Sequence, residues 1–294
     1  MIDDPAPPHE RMRLRRGRTL ALSLPRRLVC DVLHFSRNAP SVPMQRRMRL
    51  AELVAARNAW PRRLSWCAIF LKGYAQVTAE RPELRRAYLR FPWPRLYEHP
   101  ENVASFAVER EYEGEAGLFF ARVNRPERLS LARLDALVRH YKCAPIDAIA
   151  SYRRALRLTR LPRPVRRSLW WLGLELDGMF RACLFGTLAV SAAASRGAAG
   201  LHVLSPLTTT LNYSPFEPDG SIDVRITYDH RVVDGGAVAD ALVRLEAVLS
   251  TSILDELRAG PRDGFASGAP RLVRLAEPVL AESHGGDGLP LKPR

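Results

Sequence analysis

"SIDVRITYDHRVVDGGAVADAL", residues 221–242, is the stretch on which the reading of the fold turns. Ile222, Val224, Ile226 and Tyr228 alternate with Asp223, Arg225, Thr227 and Asp229, the period-two pattern of a half-buried strand. His230 continues the apolar parity, Asp234 follows four positions on, and Gly235 and Gly236 precede an amphipathic helix from Val238 to about Leu257. That helix puts Val238, Leu242, Leu245 and Leu249 on one face and is expected to pair Asp240 with Arg244 across one turn. By parity the imidazole points into the protein or into a cleft. A neutral imidazole held that way is a good general base, because its unperturbed pKa is about 6.5. The residues alone leave alternatives open: His230 is a base or a satisfied core residue, and Asp234 caps the helix or pairs with an arginine to brace the loop. The two glycines are expected to let the backbone turn sharply toward the helix.

Working outward, "TTTLNYSPF" and the strand above read as a hairpin turned at "EPDG", and "FGTLAVSAA" as a buried strand. "ENVASFAVEREY" and "GLFFARV" alternate as two further strands. Helices are expected from Arg27 to Arg37, stopped by Pro40 and Pro43, over "RLAELVAARNAW", over "SWCAIFLKGYAQVTAE" from a Ser65 cap, and over "SLARLDALVRHYK" after Ser130. Helices and strands mix irregularly, so the expectation is an α/β two-layer sandwich, a mixed central sheet flanked by helices, and not a repeating βαβ wheel. Residues 1–20 and 259–294 read as a basic N-terminal tail and a Gly/Pro-rich C-terminal tail around one domain at 21–258.

Composition narrows the function classes. The 294 residues are 47% hydrophobic and 26% charged, as expected for a folded soluble protein. Lysine occurs only at Lys72, Lys142 and Lys292, so arginine supplies nearly all of the positive charge behind a formal net +14. Such a balance favours phosphate-bearing cofactors, anionic lipid and nucleic acid. The basic residues are scattered and show neither zinc-finger spacing nor an aromatic RNA-binding signature, so no nucleic-acid partner is expected. No His/Cys ligand triplet appears, and no metal is expected. Cys30, Cys67, Cys143 and Cys183 form no CxxC pair and read as buried free thiols in a reducing compartment. The N-terminus lacks the order of a signal peptide, and the apolar run around "CLFGTLAVSAAAS" is too short to span a bilayer, so the expected location is cytoplasmic.

"DHRVVDG", with the strand before it and the helix after it, resembles the signature of the catalytic domain of 2-oxoacid dehydrogenase dihydrolipoyl acyltransferases, which share a fold with chloramphenicol acetyltransferase. "RRLVCDVLHFSRNAPSVPMQ" is similar to that family's first helix and the proline-bearing segment after it. "LSWCAIFLKGYAQVTAERPELRRAY" is similar to its helix ending in "PELN", "LSLARLDALVRHYK" to its next helix, and "GTLAVSA" to its "GTFTISN" strand. The likeness covers most of residues 21–258.

The resemblance implies that His230 removes a proton from the thiol of coenzyme A or from another acceptor, which then attacks an acyl thioester. It places the oxyanion-stabilising hydroxyl at Ser191, with Thr187, of the same parity, as the alternative donor, and it gives Asp234 a loop-holding role through an arginine. It further implies trimers or larger assemblies, with His230 and Ser191 drawn from different chains. Three departures from the family pattern stand out, of which the first points to a stand-alone acyltransferase and the second bears on the oxyanion and acyl pocket. No lipoyl or subunit-binding domain is expected before the catalytic region, so lipoate is expected only in trans. Ala192 replaces the asparagine after the serine. An arginine- and tryptophan-rich segment at 151–181 replaces a short connection; it either walls an acyl channel, contacts an anionic membrane, or packs as ordinary helix. A carrier-bound or lipid-like acyl substrate follows from the first two options. The competing readings are a lipoyl-dependent core subunit borrowing its arm, and a catalytically silent trimeric scaffold.

Overall fold

Ser65 and Ser130 start their helices as their sequences dictate, each hydroxyl accepting the backbone N–H three residues on, from Ala68 and Arg133. The computed structural model describes residues 18–191, 197, 198 and 200–260. Residues 1–17 and 261–294, which hold most of the two expected tails, and Ala192 lie outside the described residues.

The order of elements is α1 (Leu24–Ser36), β1 (Ser41–Arg49), α2 (Ala51–Ala59), α3 (Trp66–Glu80), β2 (Ala87–Leu89), β3 (Arg95–Tyr97), β4 (Val103–Tyr112), β5 (Glu115–Asn124), α4 (Leu131–Cys143), α5 (Ala150–Arg160), α6 (Arg163–Glu175), α7 (Gly178–Phe185), β6 (Leu188–Ser191), β7 (Thr209–Tyr213), β8 (Ser221–Asp229), α8 (Gly235–Ser250) and α9 (Ser252–Arg258). Six strands form one mixed sheet in the order β1-β8-β7-β6-β4-β5, and β2 and β3 form a separate hairpin. The β7–β8 hairpin pairs antiparallel as expected, while β6 runs parallel to both β4 and β7.

Register explains the layering. Met44, Ile226 and Leu211 stand opposite one another across β1, β8 and β7, as do Leu211, Val190 and Phe106 across β7, β6 and β4. Period two puts them on one face, and Ile226, Leu211, Val190 and Phe106 are all buried with α3, α4 and α8 in the main core. On the other face Phe120 of β5 meets a second, smaller cluster made by Leu28, Val32 and Phe35 of α1 with Trp170 and Leu174 of α6. The mixed sheet flanked by helices is the architecture anticipated from the pattern.

Several local expectations are corrected. The proline-bearing segment after the first helix is β1, a nine-residue edge strand that the sequence pattern does not predict. Pro43 is tolerated there because an edge strand need not donate on its outer side. The last helix is two, α8 and α9, separated at Thr251. Asp240 and Arg244 do not pair with each other; Arg244 forks onto Glu80 at 2.7 and 2.8 Å, and Asp240 faces Arg81 at 3.7 Å. The neighbouring helix α3 offers a bidentate carboxylate, which outcompetes an i,i+4 contact on the same helix.

The segment 151–181 forms the three helices α5, α6 and α7, whose inner faces pack on the rest of the chain. Trp170 stacks on Phe35 with ring centroids 5.8 Å apart, and Arg166 is buried against Asp31. Arg181, buried at the start of the strand ends, donates to the carbonyls of Tyr88, Leu174 and Pro206, and burial pulls its guanidinium down to about 10, so it stays charged at neutral pH.

Gly186 links α7 to β6 at φ +88°, and a Cβ there would lie 2.6 Å from the Val103 carbonyl oxygen. Gly186→Ala is therefore expected to destabilise the chain by about 2–3 kcal/mol. Gly236→Ala, which meets nothing within 4 Å in the first turn of α8, is expected to be neutral or to stabilise by about 0.5–1 kcal/mol. Urea-unfolding midpoints of the two variants test the contrast; equal effects would contradict it.

Candidate active site

β8 ends at Asp229, one residue before the histidine, so the strand parity that aimed His230 inward stops short of it. His230 opens a turn, clipped to the start of β1 by its backbone N–H donating to the Pro40 carbonyl at 3.3 Å. Its side chain is 50% exposed, with one ring face toward Tyr228, the centroids 5.5 Å apart. The imidazole is thus reachable from solvent on one side and held on the other, in place of the inward position that the alternation implied.

Asp234 takes neither of the roles left open for it. It occupies the position before α8, but its carboxylate caps no helical N–H. It is 90% exposed, and its described neighbour is His230, with Oδ1 3.6 Å from Nδ1. That separation is beyond hydrogen-bond length, so Asp234 stands on the Nδ1 side of the ring without fixing it. The two glycines also behave differently from expectation, since both lie inside the first turn of α8. Gly235 sits close to its neighbours, a Cβ there falling 3.2 Å from the Tyr228 hydroxyl, whereas Gly236 faces open space.

The brace of the loop is Asp229. Its buried carboxylate accepts from Arg231 Nε at 3.0 Å, from Nη2 at 2.7 Å and from the Arg231 backbone N–H at 3.0 Å. The guanidinium lies 4.3 Å over the Tyr88 ring. Burial works against the Arg231 charge, but its hydrogen bonds to Asp229 outweigh that cost and raise its pKa. The signal was present in the sequence, because Asp229 and Arg231 are two apart and share a side at a strand end.

Two further polar groups gather at this end. Ser41, opposite Asp229 in the β1–β8 register, has its Oγ 2.8 Å from His202 Nε2. Neither residue carried a signal in the sequence, since their proximity arises from the sheet and from a separation of 161 positions.

The expected hydroxyls sit differently. Ser191 closes β6, half-buried, in register with Asn212 and through it with Arg225. Arg225 is five residues along β8 from His230, so at about 3.3 Å per residue and 4.8 Å per strand Ser191 and His230 of one chain are roughly 15–20 Å apart. Thr187 is at the nearer end, level with Thr208 and Asp229. Its hydroxyl is engaged, accepting the Val103 N–H at 3.0 Å and facing the Val103 carbonyl at 3.4 Å. A single chain therefore assembles His230, Asp234 and the Asp229–Arg231 brace, and it does not bring Ser191 to them. Among the described residues no group of three or more His, Cys, Asp or Glu could hold a metal ion.

This architecture is the fold of dihydrolipoamide acetyltransferase catalytic domains. The chain matches the dihydrolipoamide acetyltransferase of Azotobacter vinelandii with a TM-score of 0.58 at 21% identity, over 86% of this chain and 100% of that one. It matches the cubic core of a pyruvate dehydrogenase multienzyme complex at 0.55 and 20%, over 86% and 100%. A truncated catalytic core of the 2-oxoacid dehydrogenase complex from Thermoplasma acidophilum follows at 0.58 and 14%, over 80% and 99%. The Azotobacter structure addressed a serine, a histidine and, four residues further on, an asparagine in that enzyme's catalytic mechanism. No protein-family model matches the chain, and no curated protein matches it by sequence.

Proposed function

We propose that the protein is a coenzyme A-dependent acyltransferase in which His230 is the general base. The observation that carries the reading is the half-exposed imidazole, with Asp234 toward Nδ1 and a rigid Asp229–Arg231 brace beside it, on the fold of dihydrolipoamide acetyltransferase domains. The Azotobacter enzyme has an asparagine four residues after its histidine, and Asp234 stands at the same spacing here.

In the reaction, His230 Nε2 takes the proton of the acceptor thiol, hydroxyl or amine, and the freed nucleophile attacks the thioester carbonyl. The tetrahedral intermediate carries an oxyanion, for which a hydroxyl donor contributes a few kcal/mol in a dry site. Collapse breaks the carbon–sulfur bond, and the departing thiolate of coenzyme A recovers the proton from the imidazolium. Ser191 serves as the donor from a neighbouring copy, since the intrachain separation forbids it in cis. A trimer or a larger assembly of trimers provides that neighbour, in keeping with the cubic core among the similar structures. The high positive charge suits a donor bearing phosphates. All four cysteines are free, which suits a reducing compartment, but against the expectation of buried thiols Cys30 and Cys143 are exposed and Cys67 alone is buried.

A silent scaffold of the same fold is the second reading, favoured by Ser191 and His230 standing far apart in one chain. Thiol release from acetyl- and longer acyl-coenzyme A, with dihydrolipoamide and with hydroxyl and amine acceptors, separates the readings. Turnover with any acceptor supports the enzyme, and a rate far higher with dihydrolipoamide makes it a lipoyl-dependent core subunit. An intact oligomer with neither turnover nor coenzyme A binding overturns the proposal in favour of the scaffold.

A further inference from the structure

Most of the exposed large apolar side chains of the described residues gather around α6. Val165, Leu169, Leu172 and Leu176, spaced four, three and four apart, lie on one helical face and are all exposed, while Arg166, Trp170, Gly173 and Leu174 on another face are buried. The loop between β2 and β3 joins this ridge at its end. Phe91 donates its N–H to the Glu175 carbonyl, Arg95 donates to the Leu176 carbonyl at 2.8 Å, and the Phe91 ring leans on Trp171 with centroids 5.4 Å apart. From this loop Trp93 projects with 65% of its surface exposed. An apolar area of this kind on a globular chain calls for an occupant.

Charge narrows the choice. Arg160 and Arg163 are exposed where α6 begins, and Arg90 is exposed where it ends. The nearest acids are engaged, Glu175 accepting the Arg90 N–H and Asp177 capping α7 through the Phe180 N–H. Among the described residues no helix is long and apolar enough to cross a membrane, so any lipid contact is lateral. A leucine ridge with a projecting tryptophan and an arginine rim is the composition that settles at the headgroup boundary of an anionic bilayer.

We propose that α6 and the 90–95 loop form a face that lies on an anionic membrane surface. The hairpin bearing this loop also holds Tyr88 under Arg231, so the face adjoins the His230 end of the sheet. That the acyl group exchanged there is borne by a lipid rests on the acyltransferase reading; the docking itself does not.

The test is cosedimentation of the full-length protein with phosphatidylcholine vesicles, with and without phosphatidylglycerol. Binding is expected only with phosphatidylglycerol, weakening about tenfold or more on raising salt from 0.1 M to 0.5 M. Trp93→Ser and Leu169→Ser are each expected to weaken it about tenfold with the circular dichroism spectrum unchanged, because both side chains face solvent. His230→Ala is expected to bind as the parent does, which separates docking from chemistry, and a parent protein that binds vesicles yet transfers no acyl group sinks only the enzymatic reading. Absence of binding to phosphatidylglycerol vesicles overturns the inference, as does equal binding to both vesicle types. If Leu169→Ser instead splits an oligomer in light scattering while vesicles are ignored, the occupant is a second copy and the inference fails.

Discussion

His230→Ala is expected to slow thiol release from acyl-coenzyme A about a thousandfold, with the unfolding free energy changed by no more than about 0.5 kcal/mol. The two halves of that expectation have separate causes. The imidazole is half exposed and its described contacts are Tyr228 on one ring face and Asp234 at 3.6 Å, so truncation opens no packed cavity. Its chemical loss is that of a proton acceptor placed beside the nucleophile, a contribution of about 10²–10⁴. Asp234→Ala should cost much less, about tenfold, because an exposed carboxylate beyond hydrogen-bond length does not fix the ring. Ser191→Ala should cost about a hundredfold, in the rate and not in substrate affinity, if its hydroxyl meets the oxyanion. A His230→Ala chain that keeps more than about a tenth of the parent rate would remove the base from the mechanism.

The second large effect concerns stability. Asp31→Ala is expected to destabilise the fold by about 3–5 kcal/mol, a substantial part of a typical 5–15 kcal/mol. Asp31 of α1 is 1% exposed and takes Arg166 of α6 at Nε and, at 3.3 Å, Nη2, with Arg167 Nε 3.8 Å away. The other amino group of Arg166 already serves the Thr159 and Leu161 carbonyls, so the guanidinium cannot swing to water when the carboxylate is removed. It would remain buried without its counter-charge, which is the costly state. Replacing both partners, Asp31→Leu with Arg166→Met, removes the uncompensated charge and should recover most of the loss. Urea denaturation of the single and double variants tests this. A single-variant cost below about 1 kcal/mol, or a double variant no better than the single, would contradict the account.

What the sequence made legible was local. Ser65 and Ser130 announced helices because a cap needs only a hydroxyl three residues before an N–H, and the β7–β8 hairpin followed from alternation within one stretch. β1 was missed because its exposed arginines and Pro43 hide the inward Met44 and Met48, whose role appears only in register with β8. The partner of Arg244 is Glu80 at the end of α3, which the sequence of α8 alone cannot foresee. For the site, the histidine and the aspartate after it were readable, but the loop brace was assigned to Asp234 when Asp229 holds Arg231. Asp31 and Arg166, separated by 135 positions, carried no signal at all.

The distance between Ser191 and His230 within one chain has a genetic corollary. Two defective alleles, one lacking the serine hydroxyl and the other the imidazole, should complement when coexpressed, because an interface in mixed rings can unite the intact halves. With random mixing about a quarter of such interfaces regain both groups, and dilution of the parent protein should extinguish turnover before any chain unfolds.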